Sequence, residues 1–182
     1  MLLQLLASHP EAIRPVLQGT PTWVWGLLAG LVTLGATQLR ARSASVTRVS
    51  LLPVTMTIFS VWGTFSALGR SSHFATAMIV WMAAAAIAFA LLAAGRSNAQ
   101  FDRATRSYAL PGSMVPLLLI LGIFFVKYVV GVDLAMAPQL VQDSHYVLTV
   151  AAVYGALTGM FIGRTVRLWR LALQPAVSAV PA

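Results

Sequence analysis

Five stretches of about 20 predominantly apolar residues, near 22–39, 50–69, 74–94, 114–132 and 144–163, constrain this chain more than any other feature. A helix rises ~1.5 Å per residue and the hydrocarbon core of a bilayer is ~30 Å thick, so each stretch is long enough to cross once. The expected fold is therefore all-α: an integral membrane bundle of five transmembrane helices. Composition agrees, since 59% of the 182 residues are hydrophobic and 9% are charged, against about 25% charged in soluble domains. The longest connection, about residues 95–113, is too short to bury a core of its own.

Charge gives the expected orientation. Nine arginines follow the odd-numbered stretches: Arg40, Arg42, Arg48, Arg96, Arg103, Arg106, Arg164, Arg167 and Arg170. The other side holds Arg14, Arg70 and Lys127. Basic residues are retained in the cytoplasm, which puts the N-terminus out and the C-terminus in. A net charge of +8 would point to nucleic acid in a soluble protein. Placed beside span ends, it points instead to anionic lipid headgroups on the cytoplasmic side, with the lipid bilayer itself as the first partner. The chain has no cysteine, which excludes thiol catalysis, disulfides and thiolate metal sites.

A repeat divides the chain further. Thr47-Arg48-Val49-Ser50-Leu51-Leu52-Pro53-Val54-Thr55-Met56 matches Thr105-Arg106-Ser107-Tyr108-Ala109-Leu110-Pro111-Gly112-Ser113-Met114 at an offset of 58, as TRxxxLPxxM. Residues 22–69 and 80–127 thus look like two copies of one helical hairpin related by an axis along the membrane normal. The expected organisation is an interfacial or flexible segment at 1–21, a first hairpin at 22–69, a second at 70–132, a fifth helix with a basic cytoplasmic end at 133–173, and a flexible tail at 174–182. The repeated motif reads as the start of a span, with arginine at the headgroups and proline in the first turn. It also reads as a pair of arginines, Arg48 and Arg106, converging on an anionic ligand or headgroup.

The arginine followed by LPxxM at the start of the even-numbered spans resembles the CcdC-like group of small bacterial polytopic proteins. The opening Pro21-Thr22-Trp23-Val24-Trp25-Gly26, then Gln38-Leu39-Arg40, Arg48 and Leu51-Leu52-Pro53, resembles more closely short proteobacterial inner-membrane proteins classed only as a family of unknown function. This resemblance covers about residues 20–170. It implies location and topology and supplies no active site.

Small residues mark where helices can approach. Gly155, Gly159 and Gly163 recur every four residues in the fifth span, and Gly26 and Gly30 form a shorter stripe in the first. Helices in lipid gain nothing from hiding leucine, so they meet where backbones can touch. The stripes serve contacts within the bundle, or a homodimer or another membrane partner.

Chemistry is sparse. Lys127 is the charged residue that comes nearest to a span centre, five residues from the expected outer end of the fourth span, where its stem can snorkel to the headgroups or turn into the bundle. His73, Asp133, Asp143 and His145 fall near the expected outer surface and read as wet loop residues rather than metal ligands. No GxSxG, HExxH, P-loop or GxGxxG motif is present, so neither catalytic residue, cofactor nor metal is expected. The expected function is non-enzymatic binding of lipid or of a membrane partner. The alternative is a small transporter or channel between the hairpins, with Thr55, Thr57, Ser60, Thr64 and Ser66 facing its path. A redox-maturation accessory role would rest on the resemblance alone.

Overall fold

The computed structural model describes residues 11, 13–95, 99–102, 105 and 107–173. A short helix, α1 (Ile13–Gly19), precedes α2 (Thr22–Ala36), β1 (Arg42–Ser45), α3 (Val46–Leu68), α4 (Phe74–Ala93), β2 (Gln100–Asp102), β3 (Ser107–Leu110), α5 (Val115–Met136) and α6 (Ser144–Leu173). A single 3₁₀ turn, Pro138–Gln142, joins α5 to α6. Pro21 precedes α2 and Pro116 sits in the first turn of α5, where a missing N–H breaks no helical bond. The motif prolines correct the expectation of a first-turn place, since Pro53 is the eighth residue of α3 and Pro111 lies before α5.

Among the described residues three helices are long and apolar enough to cross a membrane: α4, α5 and α6. The other two apolar stretches, α2 and the Thr57–Leu68 part of α3, are shorter. The expectation of a purely helical chain needs correcting, because the two longer connections fold into a three-stranded antiparallel sheet in the order β1-β3-β2. Its register pairs Ala44 and Phe101 with Tyr108, which is fully buried at the centre of β3. The connection after α2 and the connection after α4 therefore meet at one end of the molecule.

The opposite end is tied as well. The backbone N–H and the hydroxyl of Ser72, in the α3–α4 turn, donate to Gln142 Oε1, while Gln142 Nε2 donates to Arg70 O at 3.1 Å. These bonds latch the α3–α4 turn to the α5–α6 connection.

Helix α6 is the central post. Its most extensive contact is with α4, followed by α3, whereas α2 packs on α5. Gly155, Gly159 and Gly163 set the α4–α6 spacing: a methyl at any of them would run into the backbone of Trp81, Ala85 or Phe89 respectively. At the α2–α5 contact a methyl at Gly35 would run into Leu117, while Gly26 and Gly30 face open space. The closest pairings are thus not between helices adjacent in sequence, as a hairpin would have it.

The repeat copies also differ locally. Thr47–Met56 lies within α3, whereas Ser107–Leu110 is a strand and its helix begins only at Val115. The Arg48 side chain and all of Arg106 lie outside the described residues, as do residues 1–10 and 174–182.

Burial is uneven. Half of the apolar stretch of α6 is buried but only 11% of that of α4. Ile79, Met82, Ile87 and Leu91 on α4, and Ile58, Phe59, Trp62 and Phe65 on α3, are exposed. Apolar surface of this extent marks a face made for something other than water.

Candidate functional site

Lys127 is where polarity enters the apolar part of the molecule. The apolar run of α5 is interrupted at Asp133, yet the helix continues to Met136 and places Lys127 near its mid-length. Asp133 does not end the helix because it is buried beside α6, where the Tyr146 hydroxyl points to its carboxylate at 3.5 Å. The expected position of Lys127, five residues from a span end, is corrected accordingly: it lies ~13 Å from the far end of α5 and turns into the bundle.

Its ammonium sits 4.4 Å from the centroid of the Tyr154 ring on α6. An aromatic face attracts a cation through its quadrupole, and more strongly where water is scarce. Gly63 on α3 makes this position accessible, because a methyl there would overlap Lys127 Nζ. Three helices thus meet at one cation.

Hydroxyls gather beside it. Thr158 donates to Tyr154 O at 2.8 Å and shares a hydrogen bond with Ser60 of α3. With the Thr158 proton on the carbonyl, Ser60 is the donor of the shared bond. Thr64, fully buried, donates to Ser60 O at 2.8 Å and so bonds within its own helix. Thr57, Ser60, Lys127, Tyr154 and Thr158 line a cavity of about 40 Å³, closed by Phe59, Ile123, Leu157 and Phe161.

That cavity adjoins a much larger groove of about 1010 Å³ between α2, α3 and α5, which shares Phe59, Ile123 and Lys127 with it. The walls are chiefly apolar: Trp23, Leu27 and Leu31 from α2, Trp62 from α3, Phe124 and Val132 from α5. A 2.7 Å hydrogen bond between Thr20 and the Tyr128 hydroxyl holds the α1–α2 junction against α5 at one end. Gly131 lines the groove with no atom within 4 Å of where a Cβ would stand.

The remaining expected residues are dispersed. Asp143 caps α6 by accepting from Tyr146 N at 2.9 Å, and His145 is exposed one residue into that helix. Among the described residues no three His, Asp or Glu side chains gather where one ion would sit. The basic end of α6 meets the sheet end of the molecule, where Arg170 donates to Ala93 O at 2.9 Å and Trp169 to Ser50 Oγ at 2.9 Å. Sequence reasoning singled out Lys127 but missed Gly63 and Tyr154. Tyr154 adjoins Gly155 at the start of the small-residue stripe, a polar ring beside a close helix contact, and that adjacency was its available signal.

The chain belongs to a family of unknown function (DUF6622), whose family model matches residues 1–179. No curated protein and no solved structure matches it.

Proposed function

We propose that this chain is a non-enzymatic, multi-pass protein of a bacterial inner membrane that binds a lipid-like amphiphile in the groove between α2, α3 and α5. One observation carries the reading: a groove of about 1010 Å³ with apolar walls and a single ammonium, that of Lys127, on its lining. Ligand pockets run roughly 300–1,000 Å³ and are mostly apolar with a few placed polar groups. An apolar groove that opens beside exposed Trp23 and Trp62 suits acyl chains better than a water-borne solute.

In this reading all five long helices cross the bilayer, with the N-terminus outside and the sheet in the cytoplasm. The pairing of β1 with β3 and the bonds from Gln142 to the α3–α4 turn support alternating sides. Arg40, Arg42, Arg167 and Arg170 then meet anionic headgroups on the cytoplasmic side. Duplication draws support from α2 and β1, whose offset-58 equivalents fall largely within α4 and β2.

Photoactivatable phospholipid in native-like nanodiscs tests the binding reading. Adducts are expected on groove residues such as Trp62, Phe124 and Gly131. Adducts confined to the outer face of α4, Ile79 to Leu91, would contradict it.

Transport is a second reading, favoured by Thr57, Ser60 and Lys127 sharing one cavity. At about 40 Å³ that cavity has room for a few water-sized atoms rather than a solute path. Flux into proteoliposomes that is lost in Lys127→Ala would support transport, and no flux above empty vesicles would end it.

A further inference from the structure

We infer that the occupant of the groove is a single-chain carboxylate, an anion of the fatty-acid class, whose head enters the cavity beside Lys127. The inference rests on the reading that the groove holds an amphiphile, and it adds the identity of the head.

Three features of the cavity select that head. The first is charge. The Lys127 ammonium stands over the Tyr154 ring, and the described residues that line the cavity and the groove include no aspartate or glutamate. A cation held away from water in this way is favourably met by one anion.

The second is the supply of donors. Thr158 is committed to Tyr154 O and Ser60 to Thr158, so of these three groups the ammonium is the donor left to the cavity, whose lining also includes Thr57 and Tyr154. Two carboxylate oxygens can be served by one ammonium with its three N–H groups. A phosphate, with more charge and more acceptor oxygens, calls for several donors or a guanidinium fork.

The third is room. A water needs ~10–15 Å³ of such space, so a cavity of about 40 Å³ takes three or four small atoms. That is the size of a carboxylate and not of a glycerol-linked headgroup. Because Phe59, Ile123 and Lys127 belong to both spaces, a head in the cavity continues directly into an apolar channel for the tail.

The test uses the full chain in detergent at mildly alkaline pH, with dibromostearate as probe. Bromine quenches tryptophan at contact, and Trp23 and Trp62 both line the groove. Saturable quenching is expected, with the methyl ester of the same acid about tenfold weaker. Lys127→Met should bind the acid no better than the ester. Gly63→Ala, which keeps the charge but displaces the ammonium, should narrow the advantage of the acid over the ester several-fold, and that ratio serves alone if Lys127→Met fails to fold. Equal binding of acid and ester, or equal competition by phosphatidylglycerol, would overturn the carboxylate assignment while leaving the groove reading intact. No saturable quenching by acid, ester or brominated phospholipid would overturn both.

Discussion

The ammonium of Lys127 stands 4.4 Å from the centroid of the Tyr154 ring, joining α5 to α6 where those two helices otherwise approach each other sparsely. The contact also depends on α3, since Gly63 leaves the space that the ammonium fills. One interaction therefore couples three helices around the cavity and one wall of the groove.

Replacing Tyr154 separates the ring from its hydroxyl. Tyr154→Phe keeps the aromatic face and should unfold within a few tenths of a kcal/mol of the parent. Tyr154→Leu loses the face and should cost about 0.5–2 kcal/mol, on top of any packing loss. Thermal unfolding in detergent reads both, and equal losses in the two variants would mean that the ring does not hold the ammonium.

The α4–α6 contact should be intolerant of bulk. A Cβ at Gly155 or Gly159 meets the backbone of Trp81 or Ala85, which cannot move aside as a side-chain tip can. Gly159→Val is expected to destabilise by about 1–3 kcal/mol, whereas Gly26→Val, facing open space, should be nearly neutral. The comparison is made by thermal unfolding and monodispersity in the same detergent. A neutral Gly159→Val would contradict the packing described.

Tyr108 gives a pH dependence to the sheet. Its hydroxyl is buried without a hydrogen-bond partner among the described residues, and burial pushes the phenol above its usual value. A raised phenol favours the folded state while both states stay protonated. That contribution is present below the ordinary tyrosine pKa of about 10 and is lost as pH rises through the folded value. Tyr108→Phe should abolish this alkaline loss and leave stability at neutral pH unchanged, or raise it by about 1 kcal/mol. Unfolding followed from neutral to alkaline pH checks the difference.

Sidedness can be read directly because the chain has no cysteine. In spheroplasts, Ser72→Cys at the α3–α4 turn should react with an impermeant maleimide from outside. Ser43→Cys, exposed on β1, should react only after lysis. The reverse pattern would invert the topology and detach the basic end from the cytoplasmic headgroups.

Helix positions were legible because apolar length is a strong local signal: the stretch at 74–94 became α4 (Phe74–Ala93), and that at 22–39 became α2 (Thr22–Ala36). The sheet was not legible. Arg42–Ser45 is four residues long and finds its partner, Ser107–Leu110, more than sixty residues later, so no local pattern announces it. The place of Lys127 along its helix differs from the expected one for a related reason. Asp133 ended the apolar run but not the helix, since burial against α6 removes it from the solvent that a lone carboxylate would seek. Gly63 and Tyr154 matter through contacts between helices, and neither carries a spacing that singles it out.

Whether the groove is filled by lipid chains or by water decides the account. Gly131 lines it and has room for a side chain, so a nitroxide attached at Gly131→Cys in liposomes reports its contents through collisions with oxygen and with a water-soluble nickel chelate. High oxygen and low nickel accessibility, like that of a label on the exposed α4 face at Ile87→Cys, is the predicted result. Nickel accessibility matching that of a label at Ser72→Cys would mean an aqueous passage and would contradict it.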